Sequence, residues 1–176
     1  MEVRIAEYSD FEQIAHLHAQ AWRNTFQGKM DDAFLVDEVE DDRRLIWQTR
    51  MINPPINQHV ILLEDNDQVV GFACAFGNHD FERGTIIESI VISPEYQGQD
   101  LDLLLMRELT AWMNQYFSDS GVYIEALPDD TSRCEHYKQI GASFGCERVW
   151  HAPCGDDILE SIFVWASPKS LGVHLA

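Results

Sequence analysis

IIESIVISPEYQGQDLDLLL, residues Ile86 to Leu105, is the stretch that decides the fold. Its first half is an apolar run that reads as a strand, and Ser93-Pro94 ends it because proline removes a ladder donor. A short loop with one glycine, Gly98, follows. Leu101 and Leu105, then Leu109, Trp112, Met113 and Tyr116, continue at helical spacing. Strand, tight loop and helix in that order aim the free amides at the helix start outward, where they suit a phosphate group. A lone glycine carries little of that argument by itself.

Working upstream, His59 to Glu64 and Val69 to Gly77 flank Asp65-Asn66-Asp67-Gln68, so they form a hairpin. A second turn region, Asn78 to Gly84, leads into the strand from Thr85 to Ile92. The N-terminus alternates from Glu2 to Glu7 as a half-buried strand. Ser9-Asp10-Phe11-Glu12 matches a capping box for the helix carrying Phe11, Ile14, Leu17, Ala21 and Trp22. A second helical region spans 31–51, closed by Pro54-Pro55. Downstream, Val122 to Ala126 is a buried strand and Thr131 to Ile140 a helix stopped by Gly141. Two late strands lie near Ser143 to Trp150 and Ser161 to Ala166. The order β-α-α-β-β-β-α-β-α-β-β predicts one mixed α/β domain over 1–176, with 167–176 as a loose tail.

Composition narrows the function. Twelve Lys and Arg against thirty Asp and Glu give a formal charge of −18, which argues against nucleic acid and anionic membranes as partners. No apolar run approaches a membrane span, and no signal segment opens the chain, so a cytoplasmic location is expected. Seven of the twelve residues from Asp31 to Asp42 are acidic. They read as a solvated helix face or as a field that attracts a cationic substrate. Cys74, Cys134, Cys146 and Cys154 form no C-x-x-C pair and read as packed thiols. Cys146, His151 and Cys154 follow C-x4-H-x2-C, which fits no common zinc arrangement, so no metal is expected. His16 and His18 stand two apart, point in different directions on a helix, and read as surface or boundary residues.

The segment Ile92-Ser93-Pro94-Glu95-Tyr96-Gln97-Gly98-Gln99 resembles the signature of the GCN5-related N-acetyltransferase (GNAT) superfamily: a strand ending V-x-P, then Q/R-x-x-G-x-G/A opening a helix. Asp130 to Ala142 is similar to the family's second landmark helix, with Tyr137 and Gly141 on its Tyr and Gly. Trp22 to Gly28 also looks like the helix-to-loop passage of many members. The resemblance implies a single GNAT-like α/β domain, a mixed central sheet with helices on both faces. It implies an enzyme that moves an acetyl group from acetyl-CoA to a primary amine of a small molecule or peptide, and members often dimerise. The apolar strand Ile162-Phe163-Val164-Trp165 offers either an interface or a core element.

Carried onto this chain, the resemblance assigns roles residue by residue. Backbone groups of Val91 and Ile92 would pair with the pantetheine arm. Those of Gln97, Gly98, Gln99, Asp100, Leu101 and Asp102 would face the pyrophosphate, with Asp130 opening the second landmark helix. Tyr137 would return a proton to the departing thiolate. Glu88 would deprotonate the amine through a water.

The loop departs from the pattern at two places, Asp100 and Asp102, where glycine or alanine is usual. A side chain there obstructs the backbone approach, forgoes glycine's freedom at positive φ, and repels phosphates. Aspartate near a helix start also satisfies free amides, so the same residues predict an internally capped helix. Asp130 in place of Asn and His136 in place of Phe are further departures. The alternative is therefore a GNAT-fold protein with a degenerate cofactor loop, acting as a binding or regulatory module.

Overall fold

A computed structural model describes residues 1–176. Twelve elements follow in chain order: β1 (Glu2–Ile5), α1 (Phe11–Thr25), α2 (Val39–Ile52), β2 (Gln58–Asp65), β3 (Gln68–Asp80), β4 (Gly84–Ile92), α3 (Leu101–Tyr116), β5 (Val122–Ala126), α4 (Thr131–Gln139), β6 (Ser143–His151), β7 (Asp157–Trp165) and α5 (Pro168–Gly172). The strands form one mixed sheet in the order β1-β2-β3-β4-β5-β7-β6. All neighbours pair antiparallel except β4 and β5, which run parallel.

Period-two alternation sends successive side chains of the central strands into two cores. In β2, Val60 and Leu62 join Phe11, Ile14 and Trp47 under α1 and α2. Ile61 and Leu63 join Leu105, Leu109 and Met113 of α3 on the other face. Leu105, Leu109 and Met113 are fully buried, each contributing about 1.5–3 kcal/mol of transfer free energy.

The chain differs from expectation at several places. The capping box is formed by Glu7 and Asp10 around a short 3-10 turn, Tyr8–Asp10, and not by Ser9 and Glu12. Arg4 decides the frame: its guanidinium grips both Asp10 oxygens at 2.9 and 2.8 Å, and the Glu7 amide donates to Asp10 at 2.7 Å. Residues Phe34–Glu38 make a π-helical stretch ahead of α2. β7 begins at Asp157, earlier than Ser161.

The expected loose tail is a docked helix. Ser167 caps it by accepting from the Ser170 amide at 3.1 Å, and Pro168 supplies the first helical position. Leu171 and Leu175 are buried in the α3-side core, and Arg107 donates to the Leu175 carbonyl at 3.0 Å. Ile162, Phe163 and Trp165 are buried as well, and β7 sits between β5 and β6. The core reading of that strand therefore holds for these three residues.

Candidate active site

β4 and β5 pair only from Thr85 to Ile87 against Val122 to Ile124. Gly84 sets the start of this contact: at φ +90°, a Cβ there would lie 2.3 Å from the Gly121 carbonyl oxygen. Beyond Ile87 the strands part, and the β5-facing backbone groups of Glu88 to Ile92 have no strand partner. The β3–β4 register slips between Cys74 and Ala75, whose partners are Ser89 and Ile87, so Glu88 is the extra residue of a bulge.

On the α3 side the wedge meets a cavity of about 550 Å³ lined by Ile90, Met106 and the starts of α3 and α4. Five expected residues, Gly98, Asp100, Asp102, Asp130 and Tyr137, come together there. Gln97, Gln99 and Leu101 stand outside its lining, although their backbone belongs to the same loop. Val91 turns its side chain into the α1–α2 core, and Ile92 packs on the opposite one. Only their backbone can serve a ligand in the wedge.

The loop keeps the backbone form that glycine would supply. Asp100 adopts φ +56°, ψ +28°, the left-handed region that favours glycine, so its side chain strains the loop. No side chain caps α3. The expected internal capping by Asp100 or Asp102 is therefore absent, and the first amides of α3 stay open. Asp102 instead meets Nε2 of His136 at 3.1 Å, and Asp130 accepts from the Arg133 amide at 3.1 Å as the cap of α4.

Tyr137 is buried against Phe163 and Trp165, with ring centroids 5.9 and 6.4 Å away. Burial pushes its phenol up to about 12, so it stays protonated in the working pH range. On the opposite face, Glu88 receives Arg50 at 3.0 and 3.2 Å and the Ser89 hydroxyl at 2.9 Å. Burial raises its pKa, but the Arg50 charge and these hydrogen bonds outweigh that and hold Glu88 below the usual carboxylate range. Glu88 and Arg50 each keep 23% of their side-chain surface open. The pair is deep but reachable.

Sequence reasoning missed Arg50, His136 as a partner, and a carboxyl pair further along the sheet. Arg148 binds Glu125 at 2.7 Å, and burial together with Glu125 drives the neighbouring Glu160 well above the carboxylate range. His18 is no surface residue. It is 5% exposed, with the Trp47 and Trp22 indole nitrogens 2.9 and 3.1 Å from Nδ1 and Nε2. A neutral imidazole has one acceptor nitrogen, so only one indole can donate at a time. No cluster of three His, Cys, Asp or Glu is arranged to hold a metal ion, and no helix is long and apolar enough to cross a membrane.

Residues 11–142 match the Acetyltransferase (GNAT) family. No curated protein matches the chain. Among solved structures, YncA from Salmonella typhimurium, solved with its cofactor acetyl-CoA, is 18% identical. The match covers 94% of this chain and 92% of that one, with a TM-score of 0.67. PaiA N-acetyltransferase from Thermoplasma acidophilum, in complex with coenzyme A, is 13% identical over 91% and 98%, with a TM-score of 0.65. A variant of the spermidine N-acetyltransferase SpeG from Vibrio cholerae is 17% identical over 98% and 96%, with a TM-score of 0.67. Identities this low establish likeness of fold alone.

Proposed function

The chain belongs to the GNAT acetyltransferase family, and from that premise we propose that it transfers an acetyl group from acetyl-CoA to a primary amine. The observation that carries this reading is the parting of β4 from β5 after Ile87, beside the uncapped start of α3. A pantetheine arm has the extended shape to pair with backbone groups of Val91 and Ile92 in that wedge. A pyrophosphate needs open amides, and the loop from Gln97 through Gly98, Gln99, Asp100 and Leu101 to Asp102 offers them, with Asp130 at the facing helix start.

The chemistry is attack of a neutral amine on the thioester carbonyl. A new C–N bond forms, the tetrahedral oxyanion collapses, and the C–S bond breaks. Tyr137, a protonated phenol beside the cavity, is the donor to the departing thiolate. Glu88, ionised and partly open on the other face, takes the amine's proton through a water. The acidic run from Asp31 to Asp42 favours a cationic acceptor, and the fold-neighbour named for spermidine is consistent with one.

A second reading, a module that has lost the cofactor, is favoured by one observation. Asp100, Asp102, Asp130 and Glu135 all line the same cavity. Thermal unfolding with and without acetyl-CoA at low ionic strength separates the two. A rise in Tm at micromolar to millimolar cofactor, with amine-dependent release of the free thiol, supports the transferase. No shift for the parent, with a shift for Asp100→Gly/Asp102→Gly, leaves the module.

A further inference from the structure

Asp102 and His136 are separate departures along the chain, but they meet in the fold. Nε2 of His136 on α4 lies 3.1 Å from Oδ2 of Asp102 on α3, and both border the cavity. A carboxylate only accepts, so the imidazole proton sits on Nε2 and donates across the gap between the helices. Asp102 stands in the first turn of α3, where the free amides and the helix dipole attract a carboxylate. It does not turn back onto those amides here, and no other side chain caps them.

We propose that His136 is a positioning residue. It holds the Asp102 carboxylate toward α4, and so keeps the α3 amides free for a diphosphate-bearing ligand. Without that hold, the carboxylate is free to turn over its own amides or against the ligand's phosphates, and either placement opposes binding. Asp130 is restrained in the same way on the facing wall: Arg133 gives it the backbone amide at 3.1 Å and approaches it with Nε at 3.5 Å. α4 thereby supplies partners for two of the three aspartates that line the cavity, and Asp100 alone is left to the ligand. The inference rests on the acetyl-CoA reading above, and it concerns only how this loop accommodates the pyrophosphate.

The test is direct binding of CoA and of S-acetylpantetheine, which lacks the phosphates, at low ionic strength and at 0.5 M salt. His136→Ala is expected to weaken CoA about tenfold at low salt while S-acetylpantetheine changes less than twofold. The CoA loss shrinks at high salt because a carboxylate–phosphate repulsion is screened. His136→Phe, with a ring but no donor, must reproduce the Ala result, and His136→Gln, whose amide nitrogen reaches about as far as Nε2, must retain most of the affinity. Adding Asp102→Asn to His136→Ala restores CoA binding to the parent level or better. Unchanged CoA affinity in His136→Ala overturns the proposal. So does an equal loss for both ligands, or a double variant that stays weak. A parent that binds S-acetylpantetheine but not CoA also overturns it, whereas a parent that binds neither removes the acetyl-CoA reading itself.

Discussion

Arg50 closes on Glu88 with both terminal nitrogens, Nη2 to Oε1 at 3.0 Å and Nη1 to Oε2 at 3.2 Å, at the bulge where β4 leaves β5. The guanidinium is also stacked, 4.8 Å from the Trp47 ring centroid and 5.3 Å from that of Phe76. This arrangement fixes which way Glu88 titrates. Held below the usual range, it is ionised throughout the neutral region, so the acid limb of the rate follows the amine and not the enzyme. The limb should shift with the pKa of each acceptor tried. Arg50→Ala removes the largest opposition to burial, leaving the Ser89 hydroxyl, and moves Glu88 upward, adding a second proton to the limb, so the log-rate slope approaches two below the new Glu88 pKa. Glu88→Gln lowers kcat by about 10²–10⁴-fold. A limb that stays fixed across acceptors contradicts this assignment.

Tyr137 makes the complementary test. Its phenol sits at about 12, so the parent should show no alkaline loss of activity from this residue below pH 10. Tyr137→Phe removes one oxygen and preserves the ring contacts with Phe163 and Trp165. The expected result is a fall in kcat of about 10²-fold or more, with Tm nearly unchanged and CoA binding retained. Equal losses in kcat and in cofactor affinity would place the hydroxyl in binding instead.

Asp100 combines strain and charge, and two substitutions separate them. At φ +56° the side chain costs about 1 kcal/mol that glycine would not, partly offset by glycine's greater freedom in the unfolded chain. Asp100→Asn tolerates the same backbone and removes only the charge. Both variants should bind CoA about tenfold more tightly at low salt, and only the glycine should also raise Tm. If Asn gains nothing, repulsion is not what Asp100 contributes.

Much of the architecture is legible because its determinants are local. The run Val60-Ile61-Leu62-Leu63 reads as a strand from its apolar residues alone, and being apolar on both faces it fills two cores. The run into Ser93-Pro94 and Gly98 marks where the strand must give way to a helix. What stayed hidden depends on distant partners. Glu7 with Asp10 and Ser9 with Glu12 are competing capping frames two residues apart, and Arg4 on β1 chooses between them. Arg50 lies 38 residues from Glu88, and His136 lies 34 from Asp102, so no spacing rule links them. Helix α5 has only five residues, too few for periodicity to register Leu171 before packing reveals it.

His18 and Glu160 should tilt stability in opposite directions with pH. Burial, reinforced by Arg43 and Arg50, pushes His18 down to about 3, against about 6.5 in an unfolded chain. The unfolded state therefore binds the extra proton, and His18's contribution is full above pH 6.5 and drains away as the pH falls toward 3. The steepest slope is about 1.4 kcal/mol per pH unit. Glu160 is the reverse case. Its folded pKa is raised, so folding takes up a proton, and its contribution is full below about 4.3 and fades as the pH climbs through neutrality. The chain's charge of −18 adds a general repulsion that also varies with pH, so differences between parent and variant are the quantity to measure. Urea unfolding at pH 5, 6.5 and 8 supplies them. The parent's advantage over His18→Gln, which keeps an acceptor for an indole, should shrink by about 2 kcal/mol between pH 6.5 and 5. Glu160→Gln should gain on the parent from pH 5 to 8, because an amide needs no proton to remain neutral beside Glu125. Parallel curves for either pair would mean that the buried group titrates as it does in the unfolded chain.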